Sequence, residues 1–159
     1  MMILSRRAAL AGLVTAASFP AGAIAPRPPR VLFVCRFASV KSATARELMR
    51  LRARERGIAV DVRSRGITPV DHLAPAIRQR LVREFGIDPA REPMRKLRQT
   101  DLDRADTVVL FDQLPSDLHE VGTLDWTDQP SMLDQFDASM AYLDAHIAAL
   151  LDRLVKPPA

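Results

Sequence analysis

The sequence predicts an α/β fold: a three-layer sandwich in which helices cover both faces of a parallel sheet of about four short strands. Apolar segments of strand length alternate along the chain with segments of helical periodicity. Strands that alternate with helices form parallel sheets, because each crossover returns the chain to the same edge. The 159 residues, of which 48% are hydrophobic, are enough for one such domain with a core of its own.

Each element has its own signal. Apolar or alternating patterns predict strands at residues 31–35, 58–66, 107–111 and 121–126. The stretch 43–56 contains no helix breaker and stops at Gly57, and Pro75 suits the first turn of a second helix that ends at Gly86. Residues 89–99 are basic and broken by proline, which predicts a loop or short helix, and a brief helical turn follows at 100–103. A clean apolar stripe from Phe136 to Leu154 predicts the last helix.

The N-terminal segment is predicted to lie outside this fold. Residues 1–25 combine a basic start, an apolar stretch and a zone of small residues, and the Arg6-Arg7 pair resembles a twin-arginine export signal. A proline-rich leader, 26–30, then precedes the α/β domain at 31–155. Cleavage before Ile24 avoids placing Pro26 next to the cut, although the frame ending at Ala25 is the alternative. The expected location is periplasmic or exported, with a membrane as partner only if the segment stays uncleaved as an anchor.

Charge and metal-ligand spacing narrow the function classes. The formal net charge is +4, and two of the basic residues lie in the export signal, so the remaining balance is too mild to predict nucleic-acid binding. The three histidines have no metal-ligand spacing, and a single cysteine cannot build a zinc site. No metal or organic cofactor is predicted, and the oligomeric state stays open.

Cys35, the one cysteine, stands where the first predicted strand gives way to a helix. The unpaired N–H groups of a helix N-terminus stabilise thiolates and bind oxyanions, so one short segment offers a nucleophile and an anion site. Ligands of open parallel sheets bind at the carboxyl ends of the strands, which is where this thiol falls. The alternative is a buried structural cysteine without chemistry.

The segment from Val31 to Cys35, followed by five residues and then Lys41-Ser42, resembles the low-molecular-weight protein tyrosine phosphatases and their arsenate reductase relatives. That family carries Cys, five residues, Arg and Ser at this junction. Later landmarks in the same order are Arg63-Ser64-Arg65-Gly66, Phe85-Gly86-Ile87-Asp88, the acidic run 101–106 before a strand, and Trp126-Thr127-Asp128-Gln129-Pro130, which is similar to the family's acid loop. The resemblance implies that family's flavodoxin-like topology.

The departures from the family pattern fall inside the chemistry. Lys41 stands where the family has an arginine, and a lysine offers a point charge in place of a planar fork. Phe37-Ala38 replaces the family's Gly-Asn, so no glycine lies between Cys35 and Ser42. In the acid loop, Gln129 separates the aspartate from the proline.

The resemblance implies roles for particular residues. Cys35 would be the nucleophile, Lys41 and the loop backbone would hold the phosphate oxygens, and Asp128 would serve as general acid, with Asp125 and Asp134 as alternatives. Ser42 would stabilise the thiolate, or act only as a helix cap. The predicted substrate-binding set is Arg36, Phe37, Ala38, Ser39, Val40, Ser42 and Trp126, although Trp126 is also a candidate for the core.

Three functions follow. The first is a phosphomonoester hydrolase of the tyrosine phosphate type that works through a cysteinyl-phosphate intermediate and is slowed by Lys41. The alternative is a degenerate phosphatase fold that binds an oxyanion or docks a partner. The third is an arsenate reductase that uses an external thiol, because the thioredoxin-coupled form needs more cysteines than this chain has. The expected ligand in each case is phosphate or a similar oxyanion.

Overall fold

The computed structural model of the protein describes residues 27–119 and 122–156. The predicted export signal lies outside these residues and stays a prediction, which N-terminal sequencing of the mature protein would test. Within the described part of the chain, no helix is long and apolar enough to cross a membrane.

Four parallel strands form one sheet: β1 (Arg30–Cys35), β2 (Asp61–Gly66), β3 (Thr107–Leu110) and β4 (Thr123–Asp125). The strand order is β2-β1-β3-β4, and all three neighbouring pairs are parallel. The prediction of a short parallel sheet of four strands is therefore confirmed. The order changes direction between β1 and β3, and open sheets of this kind bind ligands at the carboxyl ends of the two strands that flank such a switch.

Helices cover both faces of the sheet: α1 (Lys41–Glu55), α2 (Pro75–Phe85), α3 (Gln99–Arg104) and α4 (Phe136–Val155), with a 3-10 turn at Pro89–Arg91. Successive side chains of a strand point to opposite faces. Phe33 of β1 accordingly packs with the apolar sides of α1 and α4. Leu32 and Val34 pack on the other face, against Leu102 of α3. The central strand is thus buried on both sides.

The helix boundaries confirm some of the sequence signals. Pro75 does begin α2, and Gly86 ends it in the left-handed conformation, with φ 66°. Helix α1 starts earlier than expected, at Lys41, and its N-cap residue is Val40, which makes no side-chain capping bond. The interpretation of Ser42 as a helix cap is therefore wrong, because this residue already lies inside the helix.

Candidate active site

The loop between β1 and α1 brings the predicted nucleophile next to a hydroxyl. Cys35 ends β1 and is 4% exposed. Its Sγ lies 3.1 Å from the Oγ of Ser42 in the first turn of α1. A hydroxyl donated to sulfur stabilises the thiolate, which is the nucleophilic form of cysteine. The structure thus places Ser42 where the thiolate-stabilising role requires it.

The backbone of this loop is fixed by the segment that follows β2. The carbonyl oxygens of Cys35, Arg36 and Phe37 accept hydrogen bonds from the N–H groups of residues 67, 68 and 70, at 3.1, 2.7 and 3.2 Å. In a trans peptide the next N–H points away from the carbonyl. The N–H groups of residues 36–38 therefore turn away from that segment, which is the arrangement a backbone anion site needs.

A left-handed residue and a glycine shape the same loop. Ala38 has φ 57°, a conformation that costs a residue with a Cβ about 1–2 kcal/mol. Gly66, at the end of β2, packs directly beneath it. A Cβ on Gly66 would lie 2.8 Å from both the Cβ and the N of Ala38. Gly66 thus leaves room for the loop, and the left-handed conformation of Ala38 strains the loop backbone.

A cavity of about 540 Å³ opens at the carboxyl ends of the strands and contains the thiol. Six of the predicted residues line it, namely Cys35, Arg36, Phe37, Ser39, Val40 and Lys41. Seven others were not predicted: Val70, His72, Ala74, Asp112, Ser131, Met132 and Leu133. Phe37 and Leu133 are unusually exposed for apolar side chains, at 46% and 69%. An exposed apolar rim around a charged centre is typical of a binding site.

Lys41, which stands at the position of the family arginine, lines the cavity as the first residue of α1. No residue in the described part of the chain forms an ion pair or hydrogen bond with its side chain. The ammonium group and the N-terminal end of the helix therefore both offer positive charge to an anion in this cavity.

Trp126 and Ala38 belong to the interior, not to the cavity wall. Trp126 is 4% exposed and packs 5.8 Å from the rings of Phe33 and Phe111, measured between centroids. Ala38 is 2% exposed and lies against Gly66. Neither side chain lines the cavity, and the burial of Trp126 agrees with its interpretation as a core residue. Ala38 contributes through its backbone conformation.

The predicted acid lies apart from the cavity. The hydroxyl of Tyr142 donates to the carboxylate of Asp128, and burial together with this hydrogen bond raises the pKa of Tyr142. Asp125 accepts the N–H of Thr127 at 2.8 Å, which lowers the pKa of Asp125. Asp134 accepts the hydroxyl of Ser131 at 2.6 Å. None of these three carboxylates is among the residues that line the cavity.

Asp112 is the carboxylate that the sequence interpretation missed. It follows β3 and lines the cavity with Cys35. Its Oδ2 accepts the backbone N–H of Arg36 at 2.9 Å. The N–H of Arg36 is therefore bound by the Asp112 carboxylate, so it is not free for a bound oxyanion in this structure. One signal pointed to Asp112: it directly follows the strand pattern at 107–111, which is an expected ligand position in a parallel sheet.

No group of three or more histidine, cysteine, aspartate or glutamate side chains in the described residues is arranged to hold a metal ion. The chemistry available at the cavity is that of a thiol, a lysine, a backbone loop and a carboxylate.

A family model described as "low molecular weight phosphotyrosine protein phosphatase" matches residues 30–150. The chain belongs to this family. Membership in this family supports a phosphatase or arsenate reductase-like activity, and the four-stranded parallel sheet described above agrees with the family's fold. No curated protein matches the sequence.

Solved structures share the fold at low sequence identity. Bacillus subtilis YfkJ is 18% identical, with a TM-score of 0.69 over 82% of this chain and 96% of its own. A low-molecular-weight protein tyrosine phosphatase from T. tengcongensis is 20% identical, with a TM-score of 0.63 over 80% and 97%. The thioredoxin-dependent arsenate reductase Cg_ArsC1' from Corynebacterium glutamicum is 22% identical, with a TM-score of 0.62 over 82% and 64%. These likenesses establish the fold.

Proposed function

We propose that the protein hydrolyses phosphomonoesters of the tyrosine phosphate type through a cysteinyl-phosphate intermediate. The observation that carries the proposal is the pair of Cys35 Sγ and Ser42 Oγ, 3.1 Å apart, beside a cavity lined by Lys41, whose ammonium has no partner among the described residues. A thiolate stabilised by a hydroxyl beside a free cation suits attack on an anionic ester.

In the first half of the reaction, the Cys35 thiolate attacks phosphorus, and the bond to the leaving oxygen breaks as the sulfur–phosphorus bond forms. The N–H groups of the loop and the ammonium of Lys41 neutralise the charge on the remaining oxygens. A carboxylic acid supplies the proton that the leaving oxygen needs. In the second half, water displaces the sulfur, and inorganic phosphate and the thiolate are released.

Lys41 limits the rate in this proposal. Guanidinium binds two oxygens of a phosphoryl group through a planar fork, whereas an ammonium contributes one point charge. The loss of one well-placed oxyanion donor typically removes about 10²–10³ in kcat, or about 2.7–4 kcal/mol. We therefore propose a slow phosphatase.

Two alternatives have support of their own. The lysine and the Phe37-Ala38 pair alter the loop at three positions, which favours a protein that binds an oxyanion without turnover. The fold shared with an arsenate reductase favours arsenate reduction, but Cys35 is the one cysteine, so that reaction requires a thiol from outside the chain. Thiol consumption that depends on arsenate would support the latter.

The deciding experiment is hydrolysis of an aryl phosphate by the domain without residues 1–25, with Cys35→Ser alongside. The expected result is slow release of phosphate by the parent and none by Cys35→Ser, because a serine hydroxyl at this position is a far weaker nucleophile than a thiolate. Release that survives in Cys35→Ser would contradict the cysteinyl-phosphate route. Calorimetric binding of inorganic phosphate by a parent without turnover would select the oxyanion-binding alternative.

A further inference from the structure

We infer that Asp112 is the group that gives and takes the proton in this reaction. The inference rests on the proposed function and assigns its general acid–base step. Asp112 is the one carboxylate, among the described residues, that lines the same cavity as Cys35. A general acid must lie within hydrogen-bond reach of the oxygen that it protonates, directly or through one water, so sharing the cavity with the nucleophile is the first requirement.

The topology of the sheet sets this placement. Strands β1 and β3 are parallel neighbours, and Val34 pairs with Leu110 in their register. The pairing continues one step further, where the N–H of Phe111 donates to the carbonyl of Val34 at 2.9 Å. Continued in this register, Cys35 lies opposite Phe111 and Arg36 lies opposite Asp112, so Asp112 leaves the strand next to the one that carries the nucleophile. Asp112 occupies the switch point where sheets of this order bind their ligands.

The hydrogen bonds of the carboxyl group fix its orientation. Oδ2 accepts the N–H of Arg36, the residue directly after the nucleophile, at 2.9 Å. The described residues provide no donor to the other oxygen, Oδ1. One oxygen is therefore anchored to the loop, while the other is free to carry a proton toward a substrate that is bound at Cys35.

The carboxylates of the late loop are occupied elsewhere. Asp128 accepts the hydroxyl of Tyr142, Asp125 accepts the N–H of Thr127, and none of the late-loop aspartates lines the cavity. Residues 131–133 do line it, but they contribute a hydroxyl and two apolar side chains. The loop that supplies the acid in the family pattern thus supplies mainly an apolar wall here.

The proton transfers balance in both halves of the reaction. Protonated Asp112 gives its proton to the leaving oxygen as the phosphorus–oxygen bond breaks and the bond from Cys35 sulfur to phosphorus forms. The resulting carboxylate then takes a proton from the attacking water as the water oxygen bonds to phosphorus. The sulfur leaves as thiolate, inorganic phosphate is released, and Asp112 is protonated again.

The test compares two substrates that differ in their need for an acid. The leaving group of phenyl phosphate is a poor one that requires protonation, whereas that of dinitrophenyl phosphate departs as a stable anion. Asp112→Asn is the informative variant, because the amide oxygen still accepts the N–H of Arg36 and so preserves the anchor of the loop. Asp117→Asn is the matched control, since Asp117 is an exposed aspartate on the same loop.

Asp112→Asn is expected to lose about 10²–10⁴-fold in kcat on phenyl phosphate and less than about 10-fold on dinitrophenyl phosphate. Asp117→Asn is expected to match the parent on both. An equal loss on both substrates in Asp112→Asn would mean that Asp112 only positions the loop, and would overturn the assignment. A selective loss in Asp128→Asn, with Asp112→Asn unaffected, would overturn it in favour of the late loop. A parent silent on both substrates contradicts the proposed function itself, and the role of Asp112 falls with it.

Discussion

Lys41 and Arg46 are two cations on the same helix with opposite surroundings. Arg46 is 2% exposed, and its guanidinium donates to Glu47 Oε1 at 2.8 Å, Ser64 Oγ at 2.8 Å and the carbonyl of Pro89 at 3.0 Å. Lys41 lines the cavity, and the described residues give its ammonium no partner. The guanidinium of Arg46 is thus bound by the protein itself, whereas the ammonium of Lys41 is available to a ligand.

The comparison shows that an arginine near the cavity loop in sequence, such as Arg46, does not by itself provide an oxyanion site. Burying a charge is unfavourable unless its hydrogen bonds are satisfied, and Arg46 meets that condition with protein acceptors alone. Each of its three nitrogens binds a protein acceptor, and these bonds tie α1 to β2 and to the 3-10 turn, so the buried group is not presented to a substrate. The cavity therefore depends on a lysine, the loop backbone and the helix N-terminus for its positive charge.

The largest expected effect comes from removing the buried guanidinium of Arg46. Arg46→Met should lower the free energy of unfolding by about 3–5 kcal/mol, because it leaves Ser64 Oγ and the carbonyl of Pro89 without this donor and leaves buried Glu47 with Arg50 alone. Urea denaturation measures this. Arg54→Met, an exposed position on the same helix, is the matched control and should change stability by less than about 0.5 kcal/mol. If the two variants were equally stable, the hydrogen bonds of Arg46 would not stabilise the fold as described.

Replacement of Lys41 should lower activity and leave stability almost unchanged, in contrast to replacement of Arg46. Lys41→Met should reduce kcat/KM on an aryl phosphate by about 10²–10³-fold and leave stability within about 0.5 kcal/mol, because its ammonium has no partner in the part of the chain that the structure describes. Lys41→Arg should raise kcat/KM above the parent by restoring a planar fork. Unchanged turnover in Lys41→Met would show that the backbone loop alone holds the phosphate. A large loss of stability would show that Lys41 is as structural as Arg46.

The sequence was sufficient for the features that depend on local pattern. The alternation of strands and helices predicted the sheet, and the spacing from Cys35 to Ser42 placed thiol and hydroxyl together. Asp112 escaped notice because its closeness to Cys35 arises from strand pairing between β1 and β3, which lie far apart in the chain. Trp126 and Asp128 were assigned from a motif, and a motif does not reveal that a tryptophan packs inward or that a tyrosine on α4 binds the aspartate.

The smallest effect concerns strain, which the cavity loop carries at Ala38. Ala38→Gly should raise the free energy of unfolding by about 0.5–1 kcal/mol, since relief of the left-handed alanine, about 1–2 kcal/mol, is partly offset by the greater freedom of glycine in the unfolded chain. Urea denaturation again gives the value. A drop in stability would mean that packing of the buried methyl group outweighs the backbone strain.

Gly66→Ala separates the two sources of crowding beneath the loop. An added Cβ would meet the Ala38 methyl group at 2.8 Å, but it would also meet the backbone N of Ala38 at 2.8 Å and the carbonyl carbon of Phe37 at 2.9 Å. Ala38→Gly removes only the first contact, so it should not rescue Gly66→Ala. A full rescue would mean that the loop backbone shifts freely. The anion site would then be less preorganised than the hydrogen bonds to residues 67, 68 and 70 indicate, and the lysine would carry more of the binding.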